Sequence, residues 1–250
     1  MIQLQICHDK SFPSLIQFKN IHKSLKYISG VSIQSEQSSY DAMVTNNLAK
    51  AIEFNKPTLY TGLNFQACND LITPSLTLRF RPDIAEIRKN IADGAIGKPG
   101  LVRIHHWDDP AVAFETRVAV EYLEICFEIF GAHPVKSHFM MSHKINKVIH
   151  LGFPCGGMGI IDLGHKGQKN QTYYSMTIIG SDGAIYSDDH RNRNLIFHNT
   201  KSFAEPPDFG EAETLNLLTD FIGNIRAIPK NIERQKNISQ AMQILNLNDE

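Results

Sequence analysis

Hydrophobic and polar residues repeat along this chain with two periods, one typical of strands and one of helices. At the N-terminus Ile2, Leu4 and Ile6 alternate with glutamines, which predicts an opening β-strand. The same patterns predict these elements up to residue 60: a helix, or a helix and a short strand, at 14–28, strands at 31–33, 41–44 and 58–60, and a helix at 45–54. Strands that alternate with helices favour a sheet covered by helices.

The next segment has the clearest helix and strand signals in the chain. Pro82 suits a first helical position, three isoleucines follow at helical spacing, and Gly94 ends the helix. A strand is then predicted at 101–107. Because side chains alternate along a strand, Val102, Ile104 and His106 should share one face and Arg103 and His105 the other. The two faces of this strand are therefore predicted to be unequal.

The second half of the chain combines one long helix with a series of short strands. Apolar residues at helical spacing predict a helix within 111–130, which Gly131 ends. The remaining predicted elements are strands at 135–141, 147–153, 157–163, 173–179, 184–187 and 194–197, and helices at 211–225 and 239–245. Successive short strands with turn residues between them are typical of an antiparallel sheet.

One run carries a family resemblance: R-F-x-P, an amphipathic helix, D-G-A-I-G-K and a strand, within residues 79–107. It resembles the start of the second domain in the glucose-fructose oxidoreductase, inositol dehydrogenase and rhizopine-catabolism (Gfo/Idh/MocA) family. The hairpin at 176–185 is similar to that family's "G-t-x-G-x-l" phrase. The resemblance implies an α/β plus α+β fold. A shortened Rossmann-like domain would cover 1–78, and a mostly antiparallel open sheet with helices packed on one face would cover 79–250.

Members of that family bind NAD or NADP, but the phosphate-binding fingerprint is missing from this chain. After the opening strand come Cys7 to Pro13, and the first glycine is Gly30, so G-x-G-x-x-G is absent. Only 78 residues precede Arg79, whereas a full Rossmann domain commonly needs about 120. At least one βα unit is therefore predicted to be absent, leaving three to four strands, and the cofactor stays unassigned.

The resemblance also locates the family's catalytic positions, and their residues differ in this chain. The lysine that members use beside the nicotinamide is replaced by Gly62, and the histidine and aspartate of the second-domain helix by Glu121 and Glu124. Buried carboxylates can act as general bases, whereas carboxylates on a solvated helix face, or in a surviving polar pocket, need not. Both interpretations stay open. The catalytic candidates are Glu121, Glu124, His105 and Arg79, with His165 a further residue to test.

Composition and charge exclude several other functions. The net charge of −1 gives no basic field for nucleic acid, and no apolar run reaches the roughly 18 residues that would span a membrane. Four cysteines without C-x-x-C spacing predict reduced, mostly buried thiols and a cytoplasmic protein. The adjacent His105 and His106 and the pair His143 and His150 invite a metal hypothesis, but no metal site is predicted, because His105 and His106 should point to opposite faces of their strand.

Three classes of function follow from the resemblance. The chain is an oxidoreductase with a rearranged nucleotide site, a degenerate homologue that binds a sugar- or polyol-like molecule, or an assembly partner of an active paralogue. In the last two classes the sheet of the second domain is predicted to form a homodimer or a mixed dimer. Loss of the glycine loop, the lysine and the histidine together favours the degenerate homologue.

Overall fold

A computed structural model describes eleven stretches of the backbone: residues 2–7, 28–33, 41–65, 69–108, 116–142, 146–165, 173–188, 194–198, 201–205, 212–224 and 231–246. The helix predicted within 14–28 therefore lies outside the described residues, except for residue 28. The chain divides into two compact units. The first unit comprises Met1–Pro82 and Gly210–Gln243, and the second comprises Asp83–Phe209 and Ile244–Glu250.

The first unit contains a parallel sheet of five strands. Its elements, in chain order, are β1 (Ile2–Cys7), β2 (Ile28–Ile33), β3 (Ala42–Thr45), helix α1 (Leu48–Phe54), β4 (Thr58–Tyr60), β5 (Ile72–Pro74) and a 3-10 turn (Leu78–Phe80). The strand order is β2-β1-β3-β4-β5, and every neighbouring pair is parallel. This is the usual six-stranded Rossmann order without one outer strand. The shortened Rossmann-like architecture is confirmed, with five strands rather than three to four.

The central strands of this sheet are buried, and the helix that follows β3 is capped at both ends. All described residues of β3, β4 and β5 are buried, as is typical of parallel strands covered on both faces. Helix α1 begins where the Asn47 side chain accepts a hydrogen bond from the Lys50 amide, 3.1 Å away. It ends at Asn55, which adopts the left-handed conformation. Because all five strands are parallel, their carboxyl ends lie along one edge of the sheet.

The second unit is built on a mixed sheet of six strands. Its elements are α2 (Pro82–Ala92, whose first residue belongs to the first unit), β6 (Pro99–Asp108), α3 (Thr116–Phe130), β7 (Lys136–Ser142), β8 (Asn146–Gly152), β9 (Met158–His165), β10 (Tyr173–Gly180) and β11 (Ala184–Asp188). The order is β11-β10-β6-β9-β8-β7, and only β6 and β9 pair in parallel. A separate hairpin joins β12 (Asn194–His198) to β13 (Lys201–Glu205). The prediction of a mostly antiparallel sheet is confirmed.

The two faces of this sheet differ as predicted. One face lies under α3 and carries fully buried side chains: Val102, Ile104, Ile149, Ile161, Met176 and Ile178. The opposite face, called the open face below, carries Arg103 and His105 from β6. Strand register extends this division across all six strands, because directly opposed residues point to the same face.

Two helices near the C-terminus belong with the parallel sheet of the first unit. They are α4 (Ala212–Asn224) and α5 (Asn231–Asn246), of which α5 runs past the unit boundary at Gln243. Asn231 is buried and donates from Nδ2 to the Asp70 carbonyl and the Thr73 hydroxyl. This grouping differs from the predicted division at 1–78 and 79–250, because α4 and most of α5 are grouped with the first unit.

None of the helices in the described ranges is long and apolar enough to cross a membrane. The α/β plus α+β fold class is confirmed by the two sheets and their helices.

Gln235 provides a test of how α5 holds the parallel sheet. Its side chain is fully buried, accepts from the Asn69 amide at 2.9 Å and donates to the carbonyls of Asn69 and Ile72. Gln235→Leu should lower the free energy of unfolding by about 2–4 kcal/mol, because it leaves backbone groups buried without partners. Urea unfolding measures this loss.

Gln243 is the matched control, because it lies on the same helix with an exposed side chain. Gln243→Leu should change the free energy of unfolding by less than about 0.5 kcal/mol. Equal effects of the two substitutions would contradict the role given to Gln235.

Candidate ligand-binding site

The carboxyl edge of the parallel sheet is the first candidate region. In open α/β sheets ligands bind outside this edge, at the point where the strand order reverses. That point lies here between β1 and β3, where Cys7 pairs with Thr45. Buried residues with hydroxyl groups lie at the end of β3 (Thr45) and directly after β4 (Thr61) and β5 (Ser75). The Thr61 amide donates to the Thr45 carbonyl at 2.9 Å, which joins the residue after β4 to the end of β3.

Gly62 stands at this edge, and it is the residue that the sequence resemblance aligns with the family's lysine. A Cβ atom built on Gly62 would overlap the phenol group of Tyr60. Tyr60 is 4% exposed, and its ring contacts that of Phe65 edge to face, with centroids 5.1 Å apart. It also packs against Ala51 and Ile72. The space for a side chain at residue 62 is therefore filled by a tyrosine held in the core.

Arg79 also belongs to the first unit. It lies in the 3-10 turn, and its guanidinium group is 5.9 Å from the centroid of the Phe80 ring. This is a cation-π distance. The other three catalytic candidates belong to the second unit.

Helix α3 carries two of those candidates, and both are buried. Glu121 is 4% and Glu124 is 2% exposed, because residues 119–127 are buried around the whole circumference of the helix. The interpretation that they lie on a solvated helix face is therefore wrong. Arg117, one turn earlier, places Nη1 3.8 Å from Oε1 of Glu121. Buried carboxylates need such partners, since an isolated buried charge is costly.

A second set of polar groups joins α3 to the sheet. His106 Nδ1 lies 2.8 Å from the Tyr122 hydroxyl, within hydrogen-bonding distance. The Tyr122 ring stacks on that of Tyr174, with centroids 6.2 Å apart and planes 9° apart. His106 was not among the predicted site residues. The sequence did contain a signal that could have identified His106. This residue shares a strand face with Val102 and Ile104, and that face packs on the long helix.

His105 lies on the other face of the sheet. Its Nδ1 is 3.0 Å from Oδ2 of Asp162, the residue directly opposite on β9. The sheet therefore separates His105 from Glu121 and Glu124, and the structure brings together only the two glutamates among these three. His165 ends β9, and its side chain lies outside the described part of the structure.

The described cysteines differ in exposure. Cys126 on α3 is buried, and burial raises the pKa of its thiol to about 12. Cys155 is exposed, so only one of the two described thiols is buried, while Cys7 and Cys68 have no described side chain. Across the described ranges no three or more histidine, cysteine, aspartate or glutamate side chains converge in a way that could hold a metal ion.

Several solved structures share this architecture. No protein-family model and no curated protein matches the sequence. Among solved structures, a myo-inositol dehydrogenase from Corynebacterium glutamicum is similar, with a TM-score of 0.78 and 15% identity over 98% of this chain and 96% of that one. A scyllo-inositol dehydrogenase from Lactobacillus casei, with bound NAD(H) and scyllo-inositol, has a TM-score of 0.78 and 13% identity over 100% and 96%.

A third similar structure is GenD2 from gentamicin A biosynthesis, in complex with NAD. It has a TM-score of 0.72 and 10% identity over 97% of this chain and 92% of that one. Sequence identities this low show a shared fold and do not show a shared activity. The chain has the fold of the inositol dehydrogenases, which confirms the resemblance read from residues 79–107 at the level of architecture.

The packing of Tyr60 over Gly62 predicts a coupled pair of substitutions. Gly62→Ala should lower the free energy of unfolding by about 1–3 kcal/mol, because the added methyl group must displace the phenol ring. In a Tyr60→Val background the same change should cost less than half as much, because the ring is gone. A double-mutant cycle from urea unfolding measures the difference.

Gly100→Ala is the control for this cycle. A Cβ atom there would meet only the Ile179 carbonyl, at an ordinary 3.6 Å. We expect no loss of stability, since alanine restricts the unfolded chain more than glycine does. An equal cost of Gly62→Ala in both backgrounds would show that Tyr60 does not occupy the space.

Proposed function

We propose that this chain is a degenerate member of the Gfo/Idh/MocA family that has lost ordinary NAD(P)-dependent dehydrogenase chemistry and binds a sugar- or polyol-like molecule. The observation that carries the proposal is the filled space at Gly62, where the family has its lysine. A lysine side chain introduced at residue 62 would overlap Tyr60. The packing around this residue, as well as the sequence, therefore excludes the family's lysine. No dehydrogenase step is assigned to the chain.

The nucleotide site supports the same proposal. The residues after β1 contain no glycine between Cys7 and Gly30, although the strand order at this edge is that of a nucleotide-binding sheet. Without glycine the backbone cannot approach a pyrophosphate as the G-x-G-x-x-G turn allows. The residues present therefore do not fit the usual binding of NAD or NADP.

The polar groups of α3 support binding of a hydroxylated ligand. Arg117 offers several N–H donors, and the carboxylates of Glu121 and Glu124 offer acceptors, which together match the donor and acceptor character of sugar hydroxyl groups. Ligand sites typically combine an apolar lining with a few placed polar groups of this kind. The Lactobacillus casei structure holds scyllo-inositol, which makes cyclic polyols the first class to test.

The alternative is an active oxidoreductase with a rearranged site. The burial of Glu121 and Glu124 favours it, because burial is one of the conditions that turn a carboxylate into a general base. In this alternative one glutamate takes the role of the family's histidine. Nucleotide binding separates the two functions.

The ligand test uses calorimetry and thermal unfolding, with the fluorescence of Trp107, the only tryptophan, as a second signal. We expect no micromolar binding of NAD(H) or NADP(H), because the glycine loop is missing. A panel of inositols, sugars and sugar acids should contain a stabilising ligand. At about 100 times its Kd a ligand adds roughly 2.7 kcal/mol to the free energy of unfolding.

Two variants of α3 make this test specific. Glu121→Gln should weaken the binding of the stabilising ligand about tenfold or more, because it removes a buried charged acceptor. Glu128→Gln is the control, since Glu128 lies on the exposed side of the same helix and pairs with Arg88. Micromolar affinity for either nucleotide would favour the active oxidoreductase instead.

We further propose that the open face of the six-stranded sheet forms a homodimer. Strand register places four exposed apolar side chains on this face, and they come from four different strands: Met140, Met158, Ile179 and Tyr186. Their exposed fractions are 46%, 55%, 41% and 61%. Exposed apolar groups gathered on one surface typically mark an interaction site. Pairing with an active paralogue is the alternative partner.

Charged substitutions at the centre of this surface test the dimer. Met158→Asp combined with Ile179→Asp should convert a dimer into a monomer at micromolar concentration, because each buries carboxylates between the two copies. Light scattering after size exclusion measures the mass. Both residues flank Leu101 in neighbouring strands, so the two charges are close together.

Ile52→Asp is the control substitution, since Ile52 is 46% exposed but lies on α1 in the first unit. This variant should remain a dimer. A wild-type chain that is strictly monomeric at micromolar concentration would rule out the homodimer and leave the paralogue as the partner to seek.

A further inference from the structure

Two histidines stand directly opposite each other at the edge of the six-stranded sheet. His138 on the edge strand β7 pairs in register with His150 on β8, and the two strands are antiparallel. Both side chains are exposed. Residues paired in this way point to the same side of the sheet, with Cβ atoms about 4.5–5.5 Å apart. Register also puts both on the open face, in one row with Ile160 of β9.

We propose that His138 and His150 chelate one transition-metal ion between their imidazole rings. Metal to nitrogen distances are about 2.0–2.1 Å, so two rings whose Cβ atoms are about 5 Å apart can converge on one ion. Water completes the coordination, because the described residues supply no group of three or more ligands. The pairing requires no change of backbone, since both strands already hold the residues opposite each other.

The chemistry of the pair selects the class of metal. Imidazole suits copper, nickel and zinc, whereas calcium and magnesium require oxygen ligands, which this pair lacks. Lys136 lies on the same face two residues before His138, and Arg103 lies beyond Ile160 in the histidine row. These positive charges further disfavour calcium and magnesium, whose binding is mainly electrostatic. Copper(II) should bind more tightly than nickel(II) or zinc(II).

The sequence did not indicate this site, because its twelve-residue spacing has no pattern of its own. In the sequence His150 is most simply grouped with His143, whereas in the structure its partner is set by the register of the hairpin. His143 has no described position. The site is independent of the proposed ligand binding, and it shares the open face with the proposed dimer surface, where Met140 lies two residues after His138 on β7.

The test is calorimetric titration of the untagged full chain with copper(II), nickel(II) and zinc(II) in a buffer that does not bind metals. Wild type should bind one copper ion in its tightest step. His138→Ala and His150→Ala should each weaken that step by more than about tenfold, since even loss of an outer-shell partner commonly costs that much. Thermal unfolding without metal should be unchanged, which shows that the variants are folded.

A composition-matched variant controls for the number of histidines. Val148→His combined with His150→Val moves one imidazole two residues along β8, opposite Met140. The distance to His138 then becomes diagonal, about 7–8 Å between strands, and copper binding should weaken as in the single variants. Wild-type affinity in this variant, or in the His138→Ala/His150→Ala double variant, would overturn the proposal.

Discussion

The burial of α3 against the six-stranded sheet is the constraint on which the second unit depends. Every residue from 119 to 127 is buried, although the helix includes Glu121, Tyr122 and Glu124. Groups of this kind are tolerated inside a protein only when partners replace the lost water. Arg117 lies beside Glu121, His106 reaches Tyr122, and Arg88 on α2 pairs with Glu128 at the exposed rim. The same helix therefore supplies core packing and the polar groups of the candidate site.

Most of the secondary structure could be predicted because its periodic segments are long enough to be distinctive. The strand at β6 and the helices α2 and α3 combine alternation, helical spacing and glycine stops that agree with one another. The strand β5 was missed because it has three residues and includes Pro74. Helix α5 starts at Asn231 rather than at residue 239, because its first turns bury amide side chains that look polar in sequence.

The sequence allows candidate positions to be named, whereas the contacts that these residues make could not be predicted from it. Alignment with the family pattern located Gly62, Glu121 and Glu124, but a local pattern cannot show that Tyr60 fills the space above Gly62. The face of His105 followed from strand alternation, yet its distance from the glutamates depended on which face α3 covers. Which face of the sheet α3 covers is determined by packing between elements that are distant in the sequence. The periodicity of a single segment carries no information about such packing.

The hydrogen bonds between Asn69 and Gln235 have a consequence for the order in which the chain folds. They join residues separated by 166 positions, and nearly the whole second unit is encoded between them. Chains are synthesised from the N-terminus, and domains generally fold as units. The hydrogen bonds of Asn69 and Ile72 to Gln235 therefore form only after α5 leaves the ribosome, by which time residues 83–209 of the second unit are already available to fold. The first unit therefore cannot be completed until most of the second unit has been synthesised.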